Sequence, residues 1–169
     1  MKSNLWAKTF LTIYKYLDRI ADAIDKLVER QALNSYYSGF RNDGILDIAD
    51  KLIELSERKV KLINIKVLIE QTLEKLEKES AQLLIEKYID NDRGEDIALR
   101  HGLPQRTYYR RQNEAENAFT AYMTLQGFNE KKLNEYVAKE NWIMEVYNNF
   151  KTKELDEISL FINRKVENF

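Results

Sequence analysis

The stretch AQLLIEKYIDNDRGEDIALRHGLPQRTYYRRQNEAENAF, residues 81–119, decides the fold of this chain. A polar turn leads into a short predicted helix over residues 94–100, with the small residue Ala98 near its middle. Gly102 is expected to end that helix because glycine adopts a positive φ at little cost. Pro104 opens the next predicted helix, where its missing N–H does no harm. Two helices joined by a glycine corner, with a small residue at their crossing, predict a helix-turn-helix.

The exposed face of the second predicted helix, over residues 104–122, contains side chains that recognise nucleic acid. In the major groove, arginine pairs with guanine, and glutamine or asparagine pairs with adenine. Between Ile97 and Asn113 the chain has four arginines and no carboxylate, which makes this its strongest basic patch in spite of a net charge of -1. Helical spacing places most of these side chains on one face. The predicted DNA-binding residues are Arg100, Gln105, Arg106, Tyr109, Arg110, Arg111 and Asn113.

Residues 81–119 resemble the region 4 helix-turn-helix of bacterial sigma factors. Asp96-Ile97-Ala98 stands where that family usually has Glu-Ile-Ala, His101-Gly102 where it has Leu-Gly, and Thr107-Tyr108 where it has a Thr-Val step. The chain departs from the family at Pro104, which replaces the usual serine and removes a side-chain N-cap. It also departs at His101, where an apolar residue is expected. The resemblance covers about a quarter of the chain.

The longer arrangement, two helices followed by this module, resembles the small phage and prophage regulators of Gram-positive bacteria of the ArpU and RinA type. That resemblance implies a sequence-specific DNA-binding transcription regulator that activates late phage genes by binding promoter DNA. The helix over residues 104–122 would enter the major groove of double-stranded DNA. The remaining helices would form a homodimer or contact RNA polymerase.

The rest of the chain predicts an all-α fold, a helical bundle with long antiparallel helices, because apolar residues recur at steps of three and four. Only 5 glycines and 1 proline interrupt 169 residues, which favours long helices over a many-stranded sheet. The predicted helices outside the helix-turn-helix cover residues 5–33, 45–76, 77–89, 129–150 and 153–166. Five residues of the second helix are expected to widen its buried face, namely Ile53, Val60, Ile63, Val67 and Leu68.

The chain divides into three predicted regions. Residues 1–80 form an N-terminal helical region that is the candidate for dimerisation, residues 81–124 form the helix-turn-helix module, and residues 125–169 form a C-terminal helical tail. We interpret the tail as packing back on the earlier helices, with a separate interaction module as the alternative. Turn formers concentrate in residues 34–44, which should separate the first two helices.

Composition excludes several classes of function. The chain has no cysteine, which removes disulfides, thiolate nucleophiles and zinc fingers. The single histidine, His101, has no second histidine or cysteine to complete a transition-metal site, so we expect no metal, no cofactor and no enzymatic activity. The first residues lack the apolar run of a secretory signal, and no stretch has the roughly 18 uncharged apolar residues of a membrane helix. We therefore expect a cytoplasmic protein without a membrane partner.

Three alternatives stay open on the sequence. A glycine-proline corner also joins ordinary bundle helices that have no part in DNA binding. A phage small terminase subunit, or another DNA-packaging component, combines a helix-turn-helix with oligomerising helices. A helical protein-interaction scaffold without DNA binding would account for the long predicted helix over residues 45–76.

Overall fold

The bundle is built on an antiparallel pair of long helices. A computed structural model describes residues 4–39, 44–152 and 155–168, and within them it contains α-helices, one single-turn π-helix and no strand. This confirms the predicted all-α fold. No helix in the described residues is long and apolar enough to cross a membrane. The elements are α1 (Leu5–Tyr37), α2 (Ile45–Glu74), α3 (Lys78–Leu84), the π-turn (Ile85–Ile89), α4 (Gly94–Arg100), α5 (Gln105–Leu125), α6 (Glu130–Val137), α7 (Asn141–Asn149) and α8 (Leu155–Glu167).

An apolar seam joins α1 to α2, and polar contacts along its edge set the register. Lys59 Nζ lies 2.6 Å from a carboxylate oxygen of Asp25, and Lys66 Nζ lies 2.6 Å from one of Asp18. Later residues of α2 therefore meet earlier residues of α1, so the two helices run antiparallel. The buried seam residues include Phe10, Ile13, Leu17, Ile20 and Ile24 of α1 and Leu62, Ile65 and Ile69 of α2.

The C-terminal helices pack back on α1. Trp6 stacks on Tyr147 of α7 with ring centroids 4.4 Å apart. Ile158 and Ile162 of α8 belong to the same buried apolar core as Phe10. The tail thus shares the core of the N-terminal helices.

The single helix predicted over residues 129–150 is wrong, because the chain forms two helices there, α6 and α7. Glu140 separates them, with φ -96° and ψ 75° at the N-cap of α7. Its buried carboxylate accepts hydrogen bonds from Arg58 Nε at 2.9 Å and from Trp142 Nε1 at 3.0 Å. A carboxylate removed from water needs such partners, and Glu140 has them at the junction between the two helices.

The break predicted over residues 34–44 is partly wrong, because α1 continues through Tyr37. Ser35 donates its hydroxyl to the Gln31 carbonyl at 2.8 Å, a bond that lets a turn-forming residue stay inside a helix. Gly39 then has a φ of +59°, which ends the regular conformation. Residues 40–43 of the predicted break lie outside the described residues.

The expected widening of the buried face of α2 is wrong except at one residue. Leu68 is buried, but Ile53, Val60, Ile63 and Val67 are between 41% and 55% exposed. These four residues point away from α1, because α1 packs on the opposite side of α2. Helical spacing predicts that apolar residues share a face, but it does not say whether the fold covers that face.

Candidate nucleic-acid interface

The corner between α4 and α5 has the conformation that the sequence predicts. Gly102 has a φ of +63°, and a Cβ built on it would meet nothing within 4 Å. Glycine is therefore favoured at this position by its positive φ, and not by a lack of space for a side chain. The N–H of Leu103 donates to the Ala98 carbonyl at 2.9 Å, and the N–H of Gly102 donates to the Leu99 carbonyl at 3.1 Å. This pair of bonds is a Schellman motif, which fixes where α4 ends.

Pro104 lies one position before the helix that it was expected to open. It is the N-cap of α5, and its carbonyl accepts from the N–H of Thr107 at 2.8 Å and from that of Tyr108 at 3.0 Å. No side chain caps the helix, as expected where proline replaces serine. α5 extends to Leu125, beyond the predicted end at residue 122.

A small apolar cluster, distinct from the main core, holds α4 against α5. Its buried members are Leu83, Ile97, Ala98 and Tyr108, with Leu103 packed against them. Gly94, the first residue of α4, has a role that the sequence analysis missed. A Cβ there would lie 2.9 Å from Cε1 of the Tyr108 ring, so only glycine allows the ring to approach the backbone this closely. No spacing rule links these two residues, because the contact depends on the packing of α5.

The Tyr108 side chain is fully buried, and its hydroxyl has no hydrogen-bond partner among the described residues. Burial, followed by the negative charge of neighbouring groups, raises the pKa of this hydroxyl well above its ordinary value. In the unfolded chain a tyrosine ionises near pH 10, roughly its ordinary pKa. The folded state therefore loses stability as the pH rises above that value, toward the raised pKa of the folded state.

We expect Tyr108→Phe to be within about 1 kcal/mol of the wild type at pH 7, on the stabilising side, because it removes an unsatisfied buried hydroxyl. Between about pH 8 and pH 10.5 the variant should lose roughly 0.8 kcal/mol less stability than the wild type. Urea unfolding at the two pH values measures both effects. Tyr37→Phe, at a residue that is 81% exposed, serves as the control and should change neither. A large loss at pH 7 would contradict the absence of a hydrogen bond.

The π-turn that precedes α4 supplies a buried acid to the corner. Glu86 is 4% exposed, and its Oε2 lies 3.1 Å from Arg100 Nη1 and 3.1 Å from His101 Nε2. Asp92 accepts a further bond from Arg100 at 2.9 Å. His101 thus has a structural partner at a position where the sigma-factor pattern has an apolar residue. The sequence predicted one regular helix over residues 77–89 and gave no indication of the π-turn.

The start of α5 leaves four of the predicted DNA-binding residues exposed, namely Gln105, Arg106, Tyr109 and Arg110. The Tyr109 residue is 53% exposed, and its ring contacts the edge of the buried Tyr108 ring. Arg106 and Arg110 have no acidic partner within the residues that the structure describes, unlike the other two arginines of the patch. Gln105 has only a long contact with Glu95, at 3.5 Å. This exposed set is hereafter called the α5 face.

The remaining predicted DNA-binding residues are either ion-paired within the protein or partly buried. Arg100 pairs with Glu86 and Asp92, Arg111 forms an ion pair with Glu79, and Asn113 is half-buried. Two of the four arginines are therefore locally neutralised by carboxylates that lie outside the stretch between residues 97 and 113. The basic excess at the surface is smaller than the residue count alone predicts.

A second buried carboxylate joins α5 to α1 and to the π-turn. Glu116 is 4% exposed, and it accepts from the Tyr88 hydroxyl at 2.5 Å and from Gln112 Nε2 at 3.2 Å. Lys8 Nζ lies 3.6 Å from its other oxygen. Burial, reinforced by the negative charge of Glu116, raises the pKa of the Tyr88 hydroxyl well above its ordinary value. Glu116 lies outside every pattern from which the sequence predicts a functional residue.

No protein-family model, curated protein or solved structure matches this chain. The described part of the chain contains no group of three or more histidine, aspartate or glutamate side chains that could hold a metal ion.

Proposed function

We propose that this chain is a sequence-specific transcription regulator that binds double-stranded DNA through the α5 face. The observation that supports this proposal is that Arg106 and Arg110 are exposed one turn apart, without an acidic partner in the described residues. An arginine without a carboxylate partner keeps its charge and its forked donors for a phosphate or a guanine. Gln105 and Tyr109 lie beside them and add a polar donor and an aromatic ring.

The placement of α5 suits insertion into a groove. The major groove of B-form DNA is about 12 Å wide and admits one α-helix. The α5 face occupies the first two turns of a helix whose later residues, such as Phe119, are buried in the main core. The helix would thus offer its first turns to DNA while its second half anchors it to the rest of the protein.

We expect duplex DNA binding that weakens with salt. With about two to four phosphate contacts, the slope of log K against log salt should be about -2 to -4, because bound cations are released from the DNA. Fluorescence anisotropy of a labelled duplex from about 50 to 200 mM salt measures the slope. A flat titration at the lowest salt would exclude DNA binding, since even non-specific binders have affinity there.

The regulatory role, of the kind that the ArpU and RinA resemblance implies, requires sequence preference. Selection from a library of random duplexes should therefore enrich a common motif. A reporter promoter that contains the motif should change its transcription when the protein is expressed. If the selected duplexes shared no motif, the protein would bind DNA only non-specifically, and the proposed role as a regulator would be contradicted.

A further inference from the structure

The outward side of α2 has an apolar stripe that nothing in the described chain covers. Leu46, Ile53, Val60 and Val67 follow one another at intervals of seven residues and are 79%, 55%, 55% and 41% exposed. We propose that a second copy of this chain packs its own α2 against this stripe, so that the protein is a homodimer joined through α2. This inference is independent of the proposed DNA binding.

The spacing of the stripe is that of a coiled-coil seam. A seven-residue repeat keeps side chains on one side of a helix that is paired with a second helix. A coiled-coil seam also includes the residue three positions after each of these side chains. Those residues are Ala49, Ser56 and Ile63. The seam from residue 46 to residue 67 thus has no charged position over about 32 Å of helix, at 1.5 Å per residue. A solvated helix face of this length would be expected to include charges.

The size of the stripe is compatible with a stable pair. From their exposed fractions, the seam residues and the neighbouring Ile45 present on the order of 600 Å² of apolar surface per chain, against roughly 800 Å² per partner in a standard interface. Polar residues along the two flanks would supply the remainder. A contiguous exposed apolar patch of this size is at the upper end of what monomers have, and such patches are often interaction surfaces.

The flanks of the seam indicate an identical, parallel partner. One flank consists of Asp50, Glu57, Asn64 and Gln71, and the other consists of Ile45, Leu52, Lys59 and Lys66. In a parallel pair each flank meets the opposite flank of the second copy, so no two like charges face each other. An antiparallel pair would set the acidic flank against itself near Glu57.

The rest of the fold leaves room for this partner. α1 packs on the side of α2 opposite the stripe, and the ion pairs of Lys59 and Lys66 with Asp25 and Asp18 lie along the edge between the two faces. Tyr136 of α6 borders the stripe and forms one wall of an open apolar groove along it. A second α2 can therefore approach from the side away from α1, beside the hydrogen bond that Asn64 on one flank donates to the Tyr136 hydroxyl at 3.2 Å.

Sedimentation equilibrium of the full chain tests the proposal. We expect a dimer at about 10 μM, and at least about 100-fold weaker self-association for Ile53→Lys/Val60→Lys, because two apolar contacts per chain are replaced by charges at the centre of the seam. Helicity should not change, since both residues are exposed. The control Leu125→Lys/Leu160→Lys alters leucines that are 80% and 60% exposed elsewhere, and it should stay a dimer. A monomeric wild type, or a seam variant that dimerises as strongly, would overturn the proposal.

Disulfide trapping tests the orientation in a chain that has no native cysteine. Ser56 and Thr124 are both exposed, and each donates its hydroxyl to the carbonyl four residues earlier at 2.9 Å, so they form a matched pair. Ser56→Cys should give a disulfide-linked dimer on mild oxidation, and Thr124→Cys should not. Leu46→Cys, at the start of the seam, should also cross-link. Cross-linking at residue 56 without residue 46 would overturn the parallel arrangement, and none at either would overturn the seam.

Discussion

Replacing Arg106 and Arg110 together by alanine is expected to weaken duplex DNA binding about 100-fold or more at moderate salt. Each guanidinium lacks an acidic partner in the described part of the chain, so each is available for one charge-assisted contact to DNA. Both are exposed, and the fold should therefore tolerate their loss. Anisotropy titrations against the selected duplex, together with far-UV circular dichroism and thermal unfolding, measure affinity and folding separately.

The matched control for this prediction is Lys26→Ala/Arg30→Ala on α1. Those residues are exposed and lie four positions apart, like Arg106 and Arg110. Their replacement removes the same amount of positive charge. If the arginines of α5 contact phosphates, each replacement should also reduce the salt slope by about 1, whereas a base contact should relax sequence preference instead. An equal loss of affinity in both double variants would indicate a bulk charge effect and contradict the α5 face as the binding site.

The corner could be predicted from sequence because its causes are local. Gly102 is required by its own φ, and Ala98 and Leu103 are linked by one short-range hydrogen bond. The bounds of α4 match the predicted residues 94–100 for the same reason. Repeating apolar steps likewise predicted the long helices, since each step buries residues against one neighbour.

Contacts between distant parts of the chain could not be predicted. Glu140, at the break before α7, binds Arg58, which lies 82 positions earlier. The pairing of Arg111 with Glu79 neutralises part of the predicted site, and the sequence contains no rule that relates these positions. The exposure of Ile53 and Val60 depends on which side of α2 meets α1. Each of these outcomes follows from tertiary packing. The periodicity of the sequence indicates only which residues share a helix face, and not which face another helix covers.

The buried Glu116 should prove important for the stability of the whole bundle. Replacing it with alanine would remove the acceptor of the Tyr88 hydroxyl and one of the two acceptors of the Gln112 amide, which also donates to the Tyr88 hydroxyl oxygen at 3.4 Å. The unsatisfied buried Tyr88 hydroxyl, together with the loss of the partly exposed Lys8 contact, should cost about 2 kcal/mol in the free energy of unfolding. Urea unfolding at pH 7, followed by circular dichroism, measures that loss.

Glu114→Ala supplies the matched control, because Glu114 lies on the same helix, two positions away, and is exposed. A surface replacement of this kind should stay within about 0.5 kcal/mol of the wild type. Glu116→Gln retains an acceptor for Tyr88 and should lose less than Glu116→Ala. In a Tyr88→Phe background the alanine replacement should cost less than in the wild type, because one of the donors is already absent. If Glu116→Ala were as mild as Glu114→Ala, the carboxylate would not be holding α5 to α1, and the α5 face would need another anchor.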